Sequence, residues 1–263
     1  MTTETGSVER ELTGMHAVIT GASRGIGYAI AAALAKRGAS VTLMAREMPA
    51  LIECVKTLGE TGGGQSLQAV SVDVTVPDSV SDGFRDAMDA SGPVDILVNN
   101  AGGTRAMGFT GVDAEAWHKS LDLNLTSAFL CMKQVLPGMM DRRRGRVVNV
   151  ASTAGLRAFR YVSAYTAAKH GLVGLTRAVA LETARSGVSV NAVCPGFVDT
   201  EMTRIAAKQA ADRIGQDVES VLAEYAALNS GGALIAPEAV AEKVAWLCAP
   251  AQEGTTGEII VIE

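Results

Sequence analysis

From Met15 onward the chain alternates short β-branched runs with stretches of helical periodicity, and this alternation leaves few folds open. The first run, Met15–Thr20, passes directly into Gly21-Ala22-Ser23-Arg24-Gly25-Ile26-Gly27, after which apolar residues recur at helical spacing from Ile26 to Arg37. The strand signal returns at Ser40–Met44, Leu67–Val72, Val94–Val98, Arg146–Val150, Val188–Val193 and Glu258–Ile262. Helical patterns occupy Leu51–Leu58 (ended by Gly62-Gly63-Gly64), Ser79–Ala90, Ala114–Met140, Ala164–Arg185 and a stretch near Pro237–Leu247. Strands joined by helices of ten or more residues imply βαβ crossovers, hence an α/β fold with a parallel sheet covered on both faces.

A sheet buried on both faces needs a large apolar supply, and 48% hydrophobic against 19% charged residues provides it. A length of 263 residues is within reach of one α/β domain, expected over 13–263 behind a flexible segment at 1–12. The departure from strict alternation is a polar, helix-prone insertion at about 199–235, in the position of a lid or substrate loop. A net charge of −5 argues against a nucleic-acid partner, and no apolar run approaches the roughly 18 residues of a membrane span. The polar start, Met1 to Thr13, does not read as a signal peptide. Cys54, Cys131, Cys194 and Cys248 show no metal or redox spacing and read as packing thiols, which suits a reducing, cytoplasmic setting.

The glycine turn after the first strand is the first functional signal. Glycines allow a tight turn and a close approach to a pyrophosphate, whose charge is favoured by a helix N-terminus. The spacing is Gly-x-x-x-Gly-x-Gly, with Gly21, Ser23, Arg24, Gly25, Ile26 and Gly27 as candidate dinucleotide contacts. An NAD site places an acidic side chain after the second strand, but Leu43-Met44-Ala45-Arg46 ends in a cation. Arg46 and Arg24 offer guanidinium groups to a 2′-phosphate, so NADP(H) is favoured, while Glu47 nearby keeps NAD(H) possible.

Ser152, Tyr165 and Lys169 carry the chemistry. Tyr165 and Lys169 are four apart on a predicted helix and therefore share a face. A free tyrosine, with a pKa of about 10, exchanges its proton poorly at neutral pH. A neighbouring ammonium is expected to favour the phenolate, and a drop of roughly three units corresponds to about 4 kcal/mol. Ser152 is then a hydroxyl donor to a carbonyl oxygen.

Taken in order with Asn99-Asn100-Ala101-Gly102 and Pro195-Gly196-Phe197-Val198-Asp199-Thr200, these motifs make the chain resemble a short-chain dehydrogenase/reductase over about residues 13 to 262. It departs at Glu263, where the family usually continues into a Gly-Gly pair and a short tail. The resemblance implies a Rossmann-type, doubly wound sheet of seven parallel strands and a homotetramer or homodimer. It implies that Asn124 bends the long helix and supports a water-mediated relay with Lys169. Asp73 and Val74 match positions that contact adenine, and Asn100 and Gly102 match the segment near the ribose. Lys169 would also bond the nicotinamide ribose, while Val198 and Thr200 would orient the carboxamide.

The same resemblance is nearest to 3-oxoacyl-thioester reductases and 3-hydroxyacyl dehydrogenases. Ala154, Leu156, Phe159, Tyr161, Phe197, Met202 and Ile205 are expected to make a largely apolar pocket for a small-molecule substrate. Arg142-Arg143-Arg144 reads either as a docking patch for an acidic carrier protein or as a solvated helix end. Two other readings stay open: an NAD-dependent dehydrogenase of a cyclic alcohol, hydroxy acid or steroid-like substrate, and a non-catalytic dinucleotide sensor.

Overall fold

The structure, a computed structural model, describes residues 10–61 and 65–263. Most of the expected flexible N-terminus, and the expected helix stop at 62–64, lie outside those residues. Of the N-terminal segment, Leu12 is described: its side chain is buried and its N–H donates to the Arg37 carbonyl at 3.0 Å.

The strands are β1 (His16–Thr20), β2 (Ser40–Ala45), β3 (Leu67–Ser71), β4 (Ile96–Asn99), β5 (Gly145–Val150), β6 (Val188–Pro195) and β7 (Ile259–Ile262). They form one seven-stranded sheet in the order β3-β2-β1-β4-β5-β6-β7, and every pairing is parallel. The Rossmann-type expectation therefore holds. Alternation of side chains across the strands divides the core in two. Ala17 and Ile19 of β1 face one cluster with Leu43, Ile96 and Val148, and Val18 faces the other with Leu97, Val147 and Val190.

Helices α1 (Gly25–Lys36), α2 (Met48–Thr61) and α9 (Pro237–Cys248) follow β1, β2 and the 199–235 insertion, while α3 (Pro77–Ser91) leads from β3 toward β4. Small side chains let α1 lie close to the sheet: Ala29, Ala31, Ala33 and Ala35 are all buried. The pattern expected as one helix over Ala114–Met140 is instead α4 (Ala114–Leu121), a π-turn at Asp122–Thr126 and α5 (Ser127–Asp141). Asn124 sits inside that π-turn, where the bend was expected. Helix α6 (Ser163–Thr183) then returns to β6. No helix among the described residues is long and apolar enough to cross a membrane.

The insertion folds as α7 (Glu201–Ile214) and α8 (Val218–Ala227). Thr200 caps α7 by accepting from the Thr203 N–H, Gly215 ends it in the left-handed conformation, and Asp217 caps α8. The base is pinned by a bridge between Val198 and Ile235. Ala207, Ala211, Val221 and Leu222 form a small core of its own.

Strand order reverses between β1 and β4. Parallel strands end at the same edge, so the loops after β1, β4, β5 and β6 open together at this crevice.

Candidate active site

The first wall of the crevice is the glycine turn. Gly25 has φ +55°, a conformation that side chains resist. A Cβ on Gly27 would stand 2.3 Å from the Gly21 carbonyl oxygen and 2.5 Å from Asn100 Nδ2, so no side chain fits there. Asn100 spends its side-chain amide on the turn, donating to the carbonyls of Thr20 at 2.9 Å and Gly21 at 3.1 Å. The Thr20 hydroxyl in turn accepts from the N–H groups of Asn100 and Ala101. Arg24 makes no side-chain cap and the first turn of α1 holds no acid, so no side chain of α1 itself opposes an anion at the helix N-terminus. That cradle suits a dinucleotide pyrophosphate. Ser23 is half-buried, and Ile26 packs on the core below.

Arg46 is exposed just past β2, its carbonyl accepting from the Ser71 hydroxyl at 2.9 Å. Asp73 accepts from both the N–H and the hydroxyl of Thr75, which holds its carboxyl below the usual carboxylate range, and Val74 beside it is buried. Arg24 is directed elsewhere: its guanidinium pairs with Glu201 of α7 at 2.9 Å. Val198 is buried at the base of the insertion, and a Cβ on Gly25 would stand 3.4 Å from the Thr200 methyl.

The second wall holds the expected trio. Ser152 follows β5 in extended backbone and its hydroxyl accepts from the Ala154 N–H at 3.1 Å. Tyr165 lies in the first turn of α6, half-buried. Lys169, one turn on, is 3% exposed and donates to the Val150 carbonyl at 2.8 Å, with Nζ 5.7 Å from the centre of the Tyr165 ring. Asn124 reaches the same place from the π-turn. Its Oδ1 accepts from the Gly103 N–H at 3.0 Å, and its Nδ2 donates to the carbonyls of Gly103 and Ser120. A Cβ on Gly102 would meet Asn124 Oδ1 at 2.9 Å and Lys169 Nζ at 3.5 Å, so the glycine keeps open a small space between those two atoms.

The electrostatics correct one expectation. Tyr165 is pushed above its ordinary value, because burial outweighs the pull of the nearby Ser152 hydroxyl. The lysine does not hold the phenol in its anionic form here; burial instead lowers Lys169 to about 8. At neutral pH the pair is therefore a protonated phenol beside an ammonium that parts with its proton unusually easily.

Several contributors were not visible in sequence. Cys194, at the end of β6, is buried close enough to Lys169 and Tyr165 to interact with both, and burial pushes its thiol up. Asn99 donates to Asn149, Asn149 to Thr176, and Thr176 to the Leu172 carbonyl, a buried chain that ties β4 and β5 to α6. Strand register makes these contacts, and no local signal announces them. Of the two readings of the arginine run, its contacts fit the solvated helix end. Arg142 donates to the Val94 carbonyl and Arg144 pairs with Asp95, at the edge where the strands begin, opposite the trio.

The expected pocket is only partly assembled. Leu156, Tyr161, Met202 and Ile205 are exposed, and Phe159 meets Phe197 edge-on at 6.0 Å while Phe197 stacks on Tyr225 of α8 at 4.5 Å. Ala154 is buried. Among the described residues no group of three potential ligands is disposed to hold a metal ion.

Comparison with known proteins bears on the family and the fold. The short chain dehydrogenase family profile matches residues 15–211. The 3-oxoacyl-(acyl-carrier-protein) reductase of Vibrio cholerae is 39% identical over 249 residues, covering 95% of this chain and 96% of that protein. The D-beta-hydroxybutyrate dehydrogenase of Cupriavidus necator is 35% identical, covering 94% and 96%. Among solved structures, an actinorhodin polyketide ketoreductase with NADPH superposes with a TM-score of 0.90 at 36% identity, covering 94% of this chain and 95% of that one.

Proposed function

This chain belongs to the short-chain dehydrogenase family, and from that premise we propose an NADP(H)-dependent reductase of 3-oxoacyl thioesters or similar apolar ketones. It is an NAD(P)-dependent oxidoreductase acting on a ketone or secondary alcohol. The finer reading rests above all on one observation: Ser152, Tyr165 and Lys169 meet at the strand-end crevice beside a glycine turn shaped for a pyrophosphate.

When bound, the nicotinamide supplies or accepts the hydride. Gly21, Ser23, Gly25 and the N-terminus of α1 hold its pyrophosphate, and Arg46 with Arg24 takes the 2′-phosphate. Asp73 and Val74 border the adenine. Asn100 and Gly102 shape the floor, Lys169 bonds the ribose, and Val198 and Thr200 orient the carboxamide. Ser152 Oγ and Tyr165 Oη donate to the substrate oxygen as negative charge grows on it. Tyr165 enters protonated and passes its proton to that oxygen as the alkoxide forms. Lys169, at about 8, is placed to refill the phenol, with Asn124 completing the relay.

The exposed apolar side chains of Leu156, Tyr161, Met202 and Ile205 favour an acyl chain or alicyclic ring. With the arginine run on the opposite edge, a coenzyme A ester or free ketone is favoured over a carrier-bound substrate. The 35% likeness to a hydroxybutyrate dehydrogenase sustains the alternative of NAD-dependent oxidation of a hydroxy acid. A homodimer or homotetramer is supported by an apolar hollow between the π-turn and α6, lined by Leu125, Phe129, Gly171 and Leu175. The free cysteines are consistent with a cytoplasmic setting.

The test is dinucleotide titration and turnover of wild type, Arg46→Ala and Tyr165→Phe with a 3-oxoacyl-coenzyme A ester. Arg46→Ala should weaken NADPH about tenfold and leave NADH alone. Tyr165→Phe should keep NADPH binding and lose at least about a hundredfold in turnover. Unchanged turnover removes Tyr165 from the reaction, and tighter binding of NADH than NADPH by the wild type overturns the cofactor assignment.

A further inference from the structure

Arg24 and Glu201 are 177 residues apart in the chain, yet their side chains meet at 2.9 Å across the crevice. Arg24 precedes α1, and Glu201 is the first residue of α7. Their placement follows from the backbone beneath them. Thr200 caps α7, and its methyl lies against Gly25, so the starts of the two helices are held face to face. The neighbouring acid is already committed: Asp199 is engaged by the Arg204 guanidinium at 2.8 Å.

We propose that Glu201 is a specificity-determining residue for the cofactor, competing with the 2′-phosphate for the Arg24 guanidinium and so setting the preference for NADP(H) over NAD(H). This rests on the NADP(H) reading given above. Both side chains are mostly exposed, 73% for Arg24 and 62% for Glu201, so exchanging one partner for another costs little desolvation. A phosphate monoester carries about −1.5 to −2 charges and three strong acceptor oxygens, more than one carboxylate offers. Arg24 therefore moves to the 2′-phosphate when it arrives, after giving up Glu201. NAD(H) has no such group and leaves the pair intact. The competition lowers affinity for the phosphorylated cofactor alone, and it couples the adenosine end of the site to the first turn of α7.

An exposed ion pair of this kind corresponds to an affinity effect of about two- to fivefold. NADPH and NADH are titrated by fluorescence at low salt into wild type, Glu201→Gln, Arg24→Ala and the double variant. Glu201→Gln is expected to bind NADPH about two- to fivefold more tightly and NADH as before, and to add nothing once Arg24 is alanine. An equal gain for both cofactors, or a gain that persists without Arg24, would mean that only the general field of a lost charge was removed, and either overturns the competition. So does an absent gain in a protein that prefers NADPH and loses it on Arg24→Ala, a result that leaves the NADP(H) reading standing. Wild-type preference for NADH overturns both.

Discussion

The glycine turn with its neighbouring trio and the α7–α8 hairpin border the same crevice, yet they are held by different means. Around the trio, Lys169 and Asn124 are enclosed and hydrogen-bonded. Lys169 is 3% exposed and Asn124 is 2% exposed, and each is fixed by backbone carbonyls from elsewhere in the chain. The hairpin has a four-residue core, joins the body through Val198–Ile235 and the Phe197–Tyr225 stack, and exposes Met202, Ile205 and Ile214. Proton transfer demands fixed positions, whereas substrate choice demands an apolar surface that a ligand completes. The first region spends stability on position. The second leaves surface uncovered for a partner.

The largest expected effect breaks the first region. Lys169→Met should lower turnover at least about a hundredfold while making the protein more stable. A lysine whose folded pKa lies near 8 carries a penalty that is fully present below that value and is relieved as pH rises toward its unfolded value near 10.5. The penalty is on the order of 3 kcal/mol at neutral pH. Urea unfolding of wild type should therefore show this group's contribution to stability improving between pH 8 and 10.5, with that component absent in the variant. A variant less stable than wild type at pH 7 would contradict the buried-charge account.

Next in size is Gly27→Ala. The added methyl collides with the Gly21 carbonyl, so the turn must shift, at about 1–3 kcal/mol of stability with loss of dinucleotide affinity. Retained NADPH affinity would show the cradle to be less constrained than its close approaches imply. The smallest effect belongs to the hairpin. Met202→Ala with Ile205→Ala should change stability by about 0.5 kcal/mol or less, since both side chains are half exposed. The same pair should raise KM for a long-chain oxoacyl ester about tenfold, because each truncation removes roughly 0.7 kcal/mol of apolar burial against the acyl chain, with kcat little changed. A fall in kcat alone would place the hairpin in the chemistry and erase the contrast.

The two regions also differed in how far the sequence revealed them. Tyr165 and Lys169 were legible because helical spacing is local, and the strands were legible because period and composition agree over short windows. The hairpin was legible only as a helix-prone insertion, and its division at Gly215 and Asp217 came from the structure. What escaped was set by register and burial. The Asn99–Asn149–Thr176 chain depends on which strands are neighbours, and Cys194 looked like any packing thiol. The rise in the Tyr165 pKa follows from enclosure, which the Tyr-x-x-x-Lys pattern does not encode. Arg142–Arg144 left two readings open for a related reason: a run of charge in sequence does not say which edge of the sheet it occupies.

The most direct measurement is a crystal structure of the protein with NADPH. The account predicts the nicotinamide in the strand-end crevice, its ring facing Ser152 Oγ and Tyr165 Oη and its ribose within hydrogen-bond reach of Lys169 Nζ. A dinucleotide bound elsewhere, or a crevice closed by the protein's own side chains with the three groups turned from the ring, would contradict it.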